Sequence, residues 1–240
     1  FRNDPSRGPL RLSGGVHSFT AKYHDLIADF AGFRARGIST TGTGPVILIW
    51  NVILADGRPN IFDNGGEAMP LGGGAAGSRV ENCAVHGFRE GILAGFGPGV
   101  NWTVKNCVSF GHTKFNGTPG EAYNDGSDHL AVGVTNAADD TTAVFGGPGS
   151  RDNINSVVIS PQFVSLVKTN VNYLKLVDPP LTPYSLGRLG DNPDIADNIA
   201  GIRPAVARPG IDARTSIGPD ENNTVTGPGA THSFGVLVTT

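Results

Sequence analysis

Charge is scarce in this chain. Only 16% of its 240 residues are Asp, Glu, Lys or Arg, and the net charge is −3. That balance excludes the basic footprint of a nucleic-acid binder and the polybasic patch of a membrane-surface protein. Long hydrophobic runs are missing too. The longest, Pro45 to Ala55, is interrupted by Asn51 and falls well short of the roughly 20 residues that cross a bilayer, so no membrane insertion is expected. Cysteine is limited to Cys83 and Cys107, too few for a disulfide framework, and neither has the Cys or His neighbours of a zinc site or an activated nucleophile. There is one Met and almost no 3.6-residue periodicity, which excludes long helices and with them ankyrin-like or tetratricopeptide-like repeats. No Asp-X-Asp-X-Asp-Gly calcium loop, Gly-Gly-X-Gly-X-Asp nonapeptide, phosphate loop or Gly-X-Ser-X-Gly elbow occurs. No metal and no cofactor is therefore expected.

Turn residues and a repeat fill the space. Gly 35 and Pro 17 are high, which fits a β-rich, turn-dense chain. Ile49-Trp50-Asn51-Val52-Ile53-Leu54, Val80-Glu81-Asn82-Cys83-Ala84-Val85 and Val104-Lys105-Asn106-Cys107-Val108-Ser109 are one phrase written three times. The phrase extends upstream to Ile27–Phe33, with Asp29 in the Asn place, and downstream to Ile154–Ile159, with Ser156 there; Leu130–Val134 falls between. The spacing is a rung of roughly 22–25 residues with loops of variable size, for example Leu71–Gly77, and short strands alternating within it. Each rung cannot bury its inward face alone, so the rungs must stack.

Asn51, Asn82 and Asn106 recur at one point of the rung. They are expected to form an asparagine ladder, with plain left-handed turn residues as the alternative. Cys83 and Cys107 share a register one period apart, as free stacked thiols in the core or, with more demanding geometry, as a disulfide.

The Val-X-Asn-Cys phrases resemble the rungs of right-handed parallel β-helix proteins, the pectate-lyase-like superfamily in the broad sense. Ser160–Val164, Asn172–Leu176, Asp197–Pro204 and Ile217–Glu221 resemble the closing segment of such proteins in the same order. The resemblance implies an all-β fold, a right-handed parallel β-helix of about five or more rungs with a loop-rich C-terminal closing segment. It is nearly silent about activity. Residues 1–21 are expected to be an N-terminal arm or cap, 22–165 the β-helix, and 166–240 the closing segment with a terminal strand at Phe234–Val238. The start at Phe1, without a basic-then-apolar signal segment, fits either a removed leader or an excised piece. Asn101, Asn116 and Asn222 head weak glycosylation sequons.

Acid/base chemistry needs converging carboxylates. The densest polar stretch runs from Glu121 to His129, and Glu121, Asp125, Asp128 and His129 are the candidate ligand-binding residues, with Trp102 as a sugar-stacking platform. Asp63–Glu67 and Asn124–His129 are turn sequences before they are anything else. His86 and His112 nearly share a register without further metal ligands, so capping or surface roles are expected. No catalytic constellation is assembled, and the catalytic residues are unassigned.

The sequence therefore reads as a non-enzymatic structural or surface protein. It would be an extracellular, cell-surface or virion β-helix module of the decoration, fibre or spike type, contacting itself or other subunits and, as a further candidate, polysaccharide. The alternative is a polysaccharide lyase or glycoside hydrolase with a groove along one face. That reading is favoured if Glu121, Asp125, Asp128 and His129 converge with a basic residue such as Arg89, Lys105 or Lys114 in one cleft.

Overall fold

The structure, a computed structural model, describes residues 10–13, 19–29, 36–55, 66–94, 102–114, 117–125, 131–142, 150, 153–156, 158–167, 170, 172–174 and 177. Among these the protein is all-β. The strands are β1 (Leu10–Ser13), β2 (Thr20–Asp29), β3 (Ile38–Thr41), β4 (Val46–Ala55), β5 (Glu67–Leu71), β6 (Arg79–Glu81), β7 (Ala84–His86), β8 (Glu90–Ala94), β9 (Thr103–Lys105), β10 (Val108–Phe110), β11 (Tyr123–Asn124), β12 (Val132–Val134) and β13 (Ala137–Ala138). Ser160–Gln162 is a 3-10 turn, and no described helix is long and apolar enough to cross a membrane.

The strands form two sheets, and every paired strand runs parallel to its neighbour. The first sheet has the order β1-β3-β5-β8-β11; the second runs β12-β9-β6-β4-β7-β10-β13, with β2 on β4. From β3 onward the chain alternates strictly between the two sheets. Each visit to the second sheet consists of two half-strands meeting at one left-handed residue: Asn51 (φ 52°), Asn82 (φ 53°), Asn106 (φ 52°) and Thr135 (φ 54°). The left-handed region is costly for most L-residues, and Asn tolerates it best after Gly. Parallel strands need crossovers rather than hairpins, which is why so few two-residue turns occur.

Hydrogen-bond register places these bends above one another. Trp50 pairs with Glu81, Glu81 with Lys105 and Lys105 with Val134, so the residues that follow them, Asn51, Asn82, Asn106 and Thr135, stack. All four are buried. Asn106 Nδ2 donates to Asn82 Oδ1 at 3.4 Å, and Thr135 Oγ1 donates to Asn106 Oδ1. The next residue of the last pass, Asn136, braces the bend from the side. Its Oδ1 accepts from the Cys107 amide at 3.0 Å, and its Nδ2 donates to the Val104 carbonyl at 2.8 Å.

Two positions of the repeat need correction. His24 pairs with Trp50 and Leu26 with Val52, so the residue level with Asn51 is Asp25; Asp29 pairs with Ala55. Ile154 bridges to Ala137, so Ser156 stands two residues beyond that pair and outside the stacked bends, although its own φ is 54°. Leu10–Ser13, within the stretch expected to be an arm, is the edge strand β1 in register with β3. The Phe234–Val238 strand lies outside the described residues.

Two apolar clusters hold the sheets. The larger contains Ile38, Ile47, Ile49, Leu54, Met69, Val80, Val85, Phe88, Ile92, Trp102, Val104 and Tyr123, drawn from both sheets. The smaller covers the outer side of the second half-strands: Ile53, Ala55, Ala84, Val108, Phe110 and Ala137 meet Ile159, Phe163, Tyr173 and Leu174. Phe110 stacks between His86 (4.5 Å) and Phe163 (5.5 Å), and His86 Nδ1 lies 3.3 Å from the Tyr173 hydroxyl. These rings fasten Phe163 and Tyr173 across the sheet.

The stacked bend has a measurable worth. Asn106→Ala removes a donor and an acceptor from a buried column and places a poorer residue at positive φ, so a loss of about 1–3 kcal/mol is expected in denaturant unfolding. Unchanged stability would mean that the column carries no load.

Candidate functional site

The polar groups that converge lie at the start of the first-sheet strands. Glu67 and Glu90 are directly paired between β5 and β8. Tyr123 pairs with Ile92, so Glu121, two residues earlier, continues the same column after Glu90. Three glutamates thus stand level on three successive passes of the first sheet, the last just before β11, spaced by the ordinary inter-strand distance of about 4.8 Å.

Basic side chains divide this column unequally. Arg36 Nε contacts Glu67 Oε2 at 2.8 Å, and Arg89 Nη2 contacts Glu67 Oε1 at 3.0 Å and Glu90 Oε2 at 2.8 Å. Among the described residues Glu121 faces one cation, Lys114 Nζ at 3.7 Å, and accepts from Asn124 Nδ2 at 2.8 Å. Exposure rises along the column, from 6% at Glu67 to 13% at Glu90 and 40% at Glu121. Burial pushes the Glu90 carboxyl above its usual range; Arg89 and Lys114 oppose that, and the neighbouring Glu67 and Glu121 charges add to it. The column therefore runs from a doubly paired carboxylate, through one that holds its proton more tightly, to one open to solvent. Among the described residues no three His, Cys, Asp or Glu side chains are placed to hold a metal ion.

A second polar pair sits inside the core. Ser109 Oγ lies 2.8 Å from His112 Nε2, a distance that suits a nucleophile and its base. The hydrogen-bond directions exclude that role. The Phe88 amide donates to His112 Nδ1 at 3.3 Å, so the ring proton is on Nε2 and is donated to Ser109, whose hydroxyl donates in turn to the Ala122 carbonyl at 2.8 Å. Burial, then the nearby His86, lowers the His112 pKa to about 3, with Asp140 opposing. The pair is a neutral internal strut. Gly91 makes room for it: a Cβ there would lie 2.0 Å from Ser109 Oγ and 2.2 Å from the Ala122 carbonyl oxygen.

Of the residues named from sequence, Glu121 joins a cluster with Lys114, while Arg89 lies one strand away between Glu67 and Glu90. Asp125 follows β11, half-buried. Asp128 and His129 lie outside the described residues. Lys105 belongs to the other sheet. Trp102 is not a platform: it is fully buried, with its indole N–H donating to the Gly73 carbonyl at 3.0 Å, so its ring offers no face to a sugar. Cys83 and Cys107 are buried free thiols.

Sequence reasoning missed Glu67 and Glu90 as partners of Glu121. The signal was a second phrase: Gly66-Glu67-Ala68-Met69, Arg89-Glu90-Gly91-Ile92 and Gly120-Glu121-Ala122-Tyr123. Each puts a glutamate two residues before a core side chain.

The chain matches no family model, no curated protein and no solved structure.

Proposed function

We propose that the alternating passes wind as a right-handed parallel β-helix with a loop-rich closing segment. We further propose that this helix is a non-enzymatic structural or surface module of an extracellular, cell-surface or virion assembly, of the decoration, fibre or spike type. The observation that carries this reading is a contrast between the two halves of the second sheet. On the second half-strands the outer side is covered by Ile159, Phe163, Tyr173 and Leu174. On the first half-strands Ala21, Tyr23, Ile47, Ile49, Val80 and Val104 belong to or pack on the core, so the alternate residues face outward. They line up as Lys22–Leu48–Arg79–Thr103–Val132 and His24–Trp50–Glu81–Lys105–Val134. Lys22 and His24 are exposed, Leu48, Trp50, Arg79, Thr103, Lys105 and Val132 are part-exposed, and Glu81 and Val134 are buried. A broad, regular face of this kind, which sets Lys22, His24, Arg79 and Lys105 among Leu48, Trp50 and Val132, suits another subunit or an anionic glycan.

The test is the solution mass and electron-microscope appearance of the protein, repeated with Lys22→Glu and His24→Ala together. A regular assembly that the double variant dissolves, with melting unchanged, supports the reading; a monomer under all conditions sinks it.

One observation favours a second reading, a polysaccharide lyase or glycoside hydrolase. Glu90 and Glu121 are adjacent carboxyls in unlike environments, which is how an acid and a base are separated. Cleavage of a polyuronide or neutral glycan that Glu121→Gln abolishes, with the fold intact, would replace the first reading with this one.

A further inference from the structure

We propose that Cys83 and Cys107 become a disulfide while the chain folds in an oxidising setting, and that the finished fold then seals the bond from solvent. Register carries the argument. Glu81 pairs with Lys105 on one side of them and Ala84 with Val108 on the other, so Cys83 and Cys107 are direct partners on neighbouring parallel strands. Neighbouring strands lie about 4.8 Å apart, inside the roughly 4.4–6.8 Å between Cα atoms that a disulfide bridges. Each cysteine follows a left-handed Asn in the stacked bend, so both side chains leave the backbone in the same direction, and closing the bond draws their Cβ atoms together from about the strand spacing to about 3.8 Å.

Reduced and oxidised states are separated by access. Both residues are completely buried within the main core. In the reduced form each thiol uses a carbonyl of its own strand, Cys83 Sγ to Glu81 O at 3.1 Å and Cys107 Sγ to Lys105 O at 3.3 Å. Burial, and next Cys107 itself, push the Cys83 thiol well above its ordinary range, which starves the folded state of attacking thiolate. Exchange therefore belongs to the unfolded or partly folded chain.

The oxidant is a small disulfide of the glutathione class. The thiolate of one cysteine attacks it, forming a mixed disulfide and releasing one glutathione thiol. The second cysteine then attacks the mixed disulfide and releases the other. Two cysteine thiols are oxidised by two electrons, and one glutathione disulfide is reduced to two thiols.

The experiment unfolds the whole chain in guanidinium and refolds it either with a glutathione redox couple or with dithiothreitol. The oxidised sample should be a monomer about 2 Da lighter, with no thiol titrating in denaturant. It should melt about 5–10 °C above the reduced sample. Dithiothreitol should leave the bond intact until denaturant is added. Cys83→Ala, refolded the same way, should show no such mass loss. Two thiols still titrating after oxidative refolding, or a linked form that melts below the reduced one, would overturn the proposal. Rapid oxidation of the already folded, reduced protein would overturn the sealing.

Discussion

Taking the protein from pH 7 to pH 4 should remove about 3 kcal/mol of stability through His112 alone. The folded ring takes a proton only near pH 3, because it is buried, close to His86 and already committed at both nitrogens. A proton arriving at Nδ1 would face the Phe88 amide hydrogen. In the unfolded chain the same imidazole titrates near its ordinary value of about 6.5. Between those two values the unfolded state binds more protons, so stability is fully present above about pH 6.5 and is lost steadily as pH falls towards 3. Glu90 acts in the opposite sense, because its folded pKa is raised and acidification favours its folded form. Denaturant unfolding at pH 7 and pH 4 measures the difference, with His112→Gln as the control. The variant should be weaker at pH 7 but lose much less on acidification. A wild-type loss below about 1 kcal/mol, or an unchanged slope in the variant, would remove His112 from the account.

Trp102→Ala is expected to cost about 3–5 kcal/mol, enough to unfold a protein of ordinary stability. Trp102 heads the largest fully buried side chains, and its loss would open a cavity between the sheets. It would also leave the Gly73 carbonyl without its donor. The neighbouring backbone is fitted to the ring. Gly74 has a φ of +128°, and a Cβ there would come within 3.2 Å of Trp102 Cζ2. Trp102→Phe keeps most of the apolar volume but loses the N–H and two ring carbons, so it should cost less than the alanine variant, about 1–3 kcal/mol. Wild-type stability for the alanine variant would show that the ring does not occupy the core.

The Asn repeat was legible because its cause is local. A left-handed residue is demanded at each bend, and Asn meets that demand from sequence alone. The ends of the repeat were misplaced for a related reason. Asp25 and Asp29 both precede apolar residues at similar spacing, and only hydrogen-bond register selects Asp25. The glutamate column was hidden by unequal crossovers: Glu67 and Glu90 are 23 residues apart and Glu90 and Glu121 are 31 apart, and Glu67 follows and Glu121 precedes a turn-like stretch. Trp102 sits between Asn101 and Thr103, which resembles an exposed loop. Its burial depends on the backbone at Gly73, 29 residues earlier. Ser109 was unreadable because its inward position, level with Val85 and Ala138, normally takes an apolar side chain; His112, three residues on, makes the hydroxyl acceptable there.

The unequal steps between the stacked bends also bear on how such a chain changes over generations. From Asn51 to Thr135 the steps are 31, 24 and 29 residues, while the half-strand, bend and half-strand around each stay in strict register. One residue gained or lost inside that unit would turn every later side chain of the pass to the wrong face. Residues gained or lost in the crossovers leave all pairings as they were. Length drift between descendants should therefore concentrate outside Arg79–His86 and Thr103–Phe110. Duplication of the whole 24-residue step from Asn82 to Lys105 is the smallest insertion that lengthens the stack without re-aiming a single core residue.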